Sequence, residues 1–354
     1  MLSKKQLAAL TINAITVKML ITYPRALFVL CGNAAWINVI YCTLAAVLIF
    51  FVNRLVYKYD YNVIELAEMT GGKFLRIITG IVVFIVLGLN FFSILRIFPE
   101  MIRLVLLQNT YLEVIVLSFV AALVIGAYCG IEAIGRAHTI FIPLAGIVFM
   151  IFIVLLIPSF KIENIFPILG NGPYNIFIKG ISSLSIFSDL LMLNILIPHM
   201  KNVEDYRSAG NKSVWIGGAF VFLIVAAYSL SYVYPVSANF LAPVYQLERL
   251  INLSDFFSRF EAVFQFIWSV SILLYGSLYL AVLSEVWKES FGLKFSKPLI
   301  LPIITILTGA ILLPDSLNNM IIWEYIINKW IYIPALAVPI IIAVTARIKR
   351  IKNK

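Results

Sequence analysis

Apolar residues fill this chain in long runs, broken by short polar stretches. Ten runs stand out, at about 6–30, 35–57, 74–106, 112–129, 138–158, 177–200, 213–234, 261–287, 298–314 and 330–346. About 20 apolar residues span the hydrocarbon of a bilayer as a helix that satisfies its own backbone hydrogen bonds. The pattern therefore predicts an all-α integral membrane protein with about ten transmembrane helices in one membrane domain. Two connections are longer than the others: 162–174 (IENIFPILGNGPY) and 237–260. Within the second, LERLINLSDFFSR (247–259) reads as a short amphipathic helix lying on the membrane surface.

Composition supports the same reading. Of 354 residues, 62% are hydrophobic and 12% charged, and mean hydropathy is +1.01. A soluble domain carries about twice that share of charge. The net charge of +10 would fit nucleic acid only if it were clustered, but the basic residues stand singly between apolar runs. The exception is the tail Arg347, Lys349, Arg350, Lys352 and Lys354, which reads as an anchor to anionic membrane lipid. Nucleic acid is not an expected partner.

Charge also orients the chain. With both termini in the cytoplasm, the inner segments hold most of the 27 Lys and Arg: Lys4, Lys5, Arg54, Lys58, Lys73, Arg76, Arg136, Lys201, Arg207, Lys212, Lys288, Lys294, Lys297 and the tail. The outer ends hold Arg25, Arg96, Arg103, Lys161, Lys179, Arg249, Arg259 and Lys329. This is the asymmetry of the positive-inside rule, and an even number of spans satisfies it in every loop. Five spans, a medium outer loop and five more invite an inverted-repeat reading, with halves at about 6–158 and 177–346.

Charges at membrane depth are costly and tend to be functional. Lys18 lies inside the first span and Asp189 near the middle of the sixth. Both sit among Thr, Asn and Ser, and both spans carry a proline, Pro24 and Pro198. Such segments suit helices that break in mid-membrane, where an ammonium and a carboxylate can pair or engage a zwitterionic ligand. The bland alternative has Lys18 reaching an interface and Asp189 only tying helices together. In the third span, which also carries Asn90, the residues Arg96, Glu100 and Arg103 share one face, as expected of a structural ion-pair ladder. In the eighth span Ser271, Tyr275 and Tyr279 form a stripe of hydroxyls, either a packing seam or a ligand wall. Glu261 and Arg259 read as groups at its outer terminus.

Catalysis and metal binding find little support. Neither G-x-S-x-G nor H-E-x-x-H occurs, and GNGP at 170–173 lacks the lysine and helix of a phosphate loop. His138 and His199 read as interfacial, while Cys31, Cys42 and Cys129 have no motif spacing. No cofactor, metal or enzyme activity is expected, and the first span reads as retained rather than cleaved as a signal.

Five stretches carry a resemblance: YPRALFVLCGNAAWINVI (23–40), LRIFPEMIRLVLLQNTYLEVI (95–115), GIEAIGRAHTIFIPL (130–144), KIENIFPILGNG (161–172) and FLAPVYQLERLINLSDFFSRFEAVFQFIW (240–268). In order and over nearly the whole length, they resemble the B subunits of spore germinant receptors, the spore germination permeases of the amino acid–polyamine–organocation transporter superfamily. The resemblance implies a LeuT-like fold, two inverted five-helix repeats with the first and sixth helices unwound at a central site. It implies a receptor subunit that senses a small nutrient germinant, typically an amino acid, in the spore inner membrane. Its partners would be an A subunit and a lipoprotein C subunit. A working secondary transporter for amino acids or related cations is the alternative, and a scaffold or channel subunit a third. By the same resemblance Asp189 falls at an acidic position of the sixth helix, and Tyr279 and Tyr275 at positions facing the site. The expected ligand-binding set is thus Thr16, Val17, Lys18, Ser188, Asp189, Ser271, Tyr275 and Tyr279. One departure stands out: Thr16, Val17 and Lys18 occupy the place where the family has a small or glycine-containing break. The Lys18 ammonium is therefore expected to replace a bound cation or to meet an anionic ligand group.

Overall fold

The computed structural model describes residues 1–251, 260–314 and 316–351. It is nearly all helix, with one isolated backbone bridge between Leu2 and Met200. Among the described residues ten segments cross in turn. The first is Lys4–Val17 and Tyr23–Cys31, joined by a break. Then come Ala35–Val56, Val63–Val105, Leu112–Cys129 and Ile131–Leu156. The sixth is irregular: a π-turn Tyr174–Ile178, a 3-10 stretch Lys179–Phe187 and a short α-helix Leu190–Ile195. Val203–Ser231, Phe260–Phe291 and Ile300–Ala310 follow. The tenth is the pair Leu317–Trp330 and Tyr332–Ile348.

Eight stretches are individually long and apolar enough to cross a membrane. The number falls short of ten for two reasons. The break divides the first segment, whose second half runs on into the second segment, and the ninth is short. The tenth segment begins at Leu317, not near 330 as hydropathy predicts, because Asn318, Asn319, Glu324 and Asn328 dilute its apolar run.

Each segment has local reasons for its limits. Ser3 and Gln6 form a capping box at the start of the first helix, and Asn62 with Glu65 does the same for the third. The third helix turns sharply at Gly71–Gly72, where Gly72 has a φ of +70°, a conformation that suits a residue without Cβ. The stretch expected as a surface helix at 247–259 instead ends a short helix Pro243–Glu248, with Leu247 and Glu248 buried. Residues 252–259 lie outside the described residues.

Both ends of the described chain, Met1 and Ile351, lie at one face. Leu2 bonds His199 there, the Met1 ammonium pairs with Glu132, and Lys349 reaches the Thr70 carbonyl. The opposite, far face carries residues 159–174 and 232–251. The first helix packs on the seventh and fifth, the eighth on the third, fourth and fifth, and the second on the seventh. Close approach at the seventh helix depends on small residues, as expected where lipid removes the hydrophobic drive between helices. A Cβ at Gly210 would stand 2.0 Å from Phe50 Cζ on the second helix, and one at Gly218 would stand 2.3 Å from Thr43 Cγ2. Gly210→Ala is expected to cost about 1–3 kcal/mol through overpacking. Gly309→Ala, where nothing lies within 4 Å, should be tolerated. Melting of the two detergent-purified variants checks this, and equal melting temperatures would refute the close approach.

Candidate functional site

The first helix breaks without a glycine. Lys18–Leu20 tightens into a 3-10 turn, Ile21 leaves helical geometry at φ −113° and ψ −120°, and Pro24 opens the second half. Proline lacks an N–H and clashes with the preceding turn, so its fixed φ suits a restart rather than continuation. The sixth segment opens at the same depth. Lipid offers no partner to freed backbone groups, so irregular backbone persists there only where the protein supplies one. Asn38 of the second helix donates to the Ile176 and Gly180 carbonyls at 2.7 and 3.0 Å. The Tyr23 hydroxyl donates to Ser183 O at 2.8 Å, and Lys18 Nζ to Ser185 O at 3.0 Å.

At this double break Lys18 meets Asp189, with Nζ 3.2 Å from Oδ1. Both are buried, Lys18 at 8% exposure and Asp189 at 0%. Lys18 Nζ also donates to Ser188 Oγ at 2.9 Å and Asn90 Oδ1 at 3.3 Å. Asn90 returns its amide to Ser188 Oγ and Asp189 Oδ1 at 3.0 and 3.1 Å. Tyr279 of the eighth helix donates its hydroxyl to the same Asp189 oxygen, while Oδ2 is buried with no hydrogen-bond partner. Tyr275 stacks on Tyr279 with ring centroids 4.3 Å apart. A buried charge pair is tolerable only when further hydrogen bonds surround it, and this one joins four segments: first, third, sixth and eighth. Toward the terminal face it is sealed by Leu190–Asn194, all buried.

Toward the far face a narrow cavity of about 20 Å³, room for one water, leads away from Lys18 past Ile21, Tyr23, Asn90, Glu324 and Asn328. It shares Tyr23, Glu324 and Asn328 with a larger pocket of about 280 Å³. The walls of that pocket are the second half of the first helix (Thr22–Leu30), Ser182, Ser183 and Ser185 of the sixth segment, and Asn318–Lys329 of the tenth. Thr22 Oγ1 donates to Glu324 Oε2 at 2.5 Å where the two cavities meet.

Of the residues expected at the site, Lys18, Ser188, Asp189, Tyr275 and Tyr279 come together. Thr16 and Ser271 do not, and Val17, next to Lys18, has no polar side-chain group to add to them. Val17 is fully buried, and Thr16 bonds back to Ile12 O at 2.9 Å. Ser271 belongs to a second polar cluster: its hydroxyl donates to Asn13 Oδ1, and Asn13 Nδ2 reaches Ser271 O at 2.9 Å and His138 Nε2 at 3.1 Å. His138 is therefore buried between the first, fifth and eighth helices, not interfacial. Thr16, Asn13 and Ser271 line a separate, mainly apolar cavity of about 170 Å³. Glu100 stands between Arg96 and Arg103, at 3.1 and 2.9 Å, on the wall of an open crevice at the far face. Arg259 and the Glu261 side chain lie outside the described residues.

Sequence reading missed Thr22, Asn13 and Glu324. Glu324 carries a signal, a single acidic residue in IIWEYII, but it precedes the apolar run at 330–346 that hydropathy marks as the tenth span. Among the described residues no group of three or more His, Cys, Asp or Glu side chains could hold a metal ion.

Comparison with known proteins bears on this arrangement. The fold matches a nucleobase-cation-symport-1 family transporter, Mhp1, solved in a closed conformation with bromovinylhydantoin bound. The TM-score is 0.62 at 13% identity, over 98% of this chain and 93% of that one. A manganese transporter of Eremococcus coleocola matches with a TM-score of 0.56 at 11% identity, over 97% of this chain and 78% of the other. At such identity the likeness shows the fold alone, a LeuT-like arrangement of two five-helix repeats with broken first and sixth helices. In sequence the chain is 24% identical to spore germination protein A2 of Bacillus subtilis (strain 168), over 94% of its length and 91% of the relative's. Spore germination protein B2 of the same organism is 24% identical over 41% of this chain and 39% of that protein. The spore germination protein family model matches residues 1–320, so the chain belongs to that family of multi-pass membrane proteins.

Proposed function

We propose that this chain is the membrane subunit of a spore germinant receptor, binding a small nutrient, an amino acid by preference, in the pocket above the Lys18–Asp189 pair. One observation carries the reading. A pocket open to the far face adjoins a one-water cavity that reaches Lys18, one half of a buried charge pair that joins both broken segments to the third and eighth helices. A ligand that moves either break alters the partners of both charges, so occupancy of the pocket is coupled to helix packing. The chain is proposed to sit in the spore inner membrane with both termini cytoplasmic and the pocket facing outward, as its charge asymmetry favours. Its halves are the repeats at about 6–158 and 177–346, and its partners an A subunit and a lipoprotein C subunit.

Spores carrying Tyr279→Phe test this. Loss of the charge-assisted bond to Asp189 should shift the germinant concentration for half-maximal germination by about tenfold or more, with the protein still present by immunoblot. An unchanged dose–response at normal protein level would reject the coupling of germinant sensing to the Lys18–Asp189 pair. The fold likeness to transporters favours a second reading, a secondary transporter for amino acids or related cations. Directional uptake of labelled amino acid by the purified chain in vesicles would favour it over a receptor role.

A further inference from the structure

Glu324 stands at the junction of the two cavities above Lys18. It lies on the helix Leu317–Trp330 and is only partly buried, so the pocket reaches it. Its Oε2 accepts the Thr22 hydroxyl at 2.5 Å, and Thr22 immediately precedes the second half of the first helix. This contact ties the tenth segment to the first helix beside its break.

The charges around this junction are unevenly matched. Lys18 is already committed to Asp189, Ser188, Asn90 and the Ser185 carbonyl. Glu324 is met by a hydroxyl, which satisfies a hydrogen bond but does not neutralise a carboxylate. Among the described residues Arg25 and Lys329, the cations lining the pocket, form no ion pair with Glu324. Arg25 Nε donates to Ala238 O at 3.3 Å, and Lys329 Nζ lies 5.4 Å from the centroid of the Trp330 ring. The inner end of the pocket therefore offers a carboxylate, and cationic side chains line its wall. Desolvated charges select ligands by sign, since an unmatched charge in such a site is costly.

We propose that Glu324 is the specificity-determining residue of this pocket and that the ligand is a primary amine, an α-amino acid above all. Its ammonium group takes the place of the Thr22 hydroxyl on the Glu324 carboxylate. Arg25 and Lys329 stand on the side of its acid group. Binding releases Thr22 from the tenth segment, one residue from the break at Ile21, which makes the Thr22–Glu324 contact the part of the site that senses occupancy. This inference rests on the ligand-binding reading above and names its chemistry.

The test uses the detergent-purified full chain, its melting temperature titrated with each of the twenty L-amino acids. The strongest stabiliser is then compared with its carboxamide and its N-acetyl derivative. The ammonium is required, so the N-acetyl derivative should lose stabilisation, while the carboxamide, which keeps the ammonium and gives up only the acid's charge, should lose less. Glu324→Gln should raise the half-effective concentration about 10- to 100-fold, whereas Thr22→Val, which removes only the competing hydroxyl, should leave it equal or lower. A Glu324→Gln response within threefold of wild type, or an N-acetyl derivative as potent as its parent, overturns the assignment while the pocket remains a ligand site. Failure of the wild-type chain to respond to any amino acid overturns the ligand-binding reading and this inference with it. The N-acetyl comparison needs no variant, so a Glu324→Gln chain that does not fold leaves the assignment testable.

Discussion

Asp189→Ala is expected to cost about 3–5 kcal/mol of stability, because it leaves the Lys18 ammonium buried without a carboxylate. Lys18 would retain Ser188, Asn90 and the Ser185 carbonyl, which are dipoles and do not cancel a charge at 8% exposure. Tyr279 would lose the acceptor of its hydroxyl at the same time. A loss of this size is a large part of the total stability of an ordinary domain, so little folded protein should survive purification. The informative partner is the double variant Lys18→Met with Asp189→Leu. Removing both charges and filling their space is often neutral or stabilising, so the double variant should melt well above Asp189→Ala. It should nevertheless be blind to germinant, since the breaks no longer share a charge contact. A double variant as unstable as the single one would show that the two residues do not act as a pair.

Glu100→Ala is the second large effect, again about 3–5 kcal/mol, and it comes with a built-in contrast. Glu100 is 3% exposed and lies between two guanidinium groups of unequal burial. The Arg96 side chain is 8% exposed and that of Arg103 is 39% exposed. Removing Glu100 strands the buried Arg96, whose Nε is already without a partner. Removing Arg103 withdraws one half of a solvent-screened pair, worth about 0–1 kcal/mol. Thermal unfolding in detergent should therefore place Arg103→Ala near wild type and Glu100→Ala far below it. Similar losses from both would mean that Arg103, not Arg96, is the group that depends on the carboxylate.

The pocket's chemistry and the pair's stability are linked through the first helix. Three residues separate Lys18 from Thr22, and between them the chain abandons helical geometry at Ile21. No glycine supplies that freedom. Pro24 prevents continuation, and side chains of the second helix and the first meet the carbonyls of the equally irregular sixth segment. Unwinding is thus a tertiary property here, held by Asn38, Tyr23 and Lys18 rather than by local backbone preference. A lysine at the break is consistent with that account. Its ammonium ties the first helix to Ser185 O and Asp189.

Much of this molecule is legible in its sequence for a reason specific to membranes. A span must be apolar over about 20 residues whatever it packs against, so segments such as 35–57, 112–129 and 138–158 reveal themselves by length and hydropathy alone. The same rule makes Lys18 and Asp189 conspicuous, since a charge in an apolar run has few explanations. The same rule leaves other polar residues unmarked. Glu324 went unremarked because the asparagines around it weaken the apolar run that would have marked its segment. His138 read as interfacial because sequence distance from a helix end does not reveal which neighbours bury it. The hydroxyl stripe of the eighth helix was visible as a spacing of four, yet its members divide between two sites. Tyr275 and Tyr279 face the charge pair, and Ser271 faces Asn13 and His138. Hydropathy reports the solvent around each helix, and that much the chain determines by itself. Which polar groups meet inside the bundle depends on helix rotation and on where two helices break, and only their packing against one another decides that.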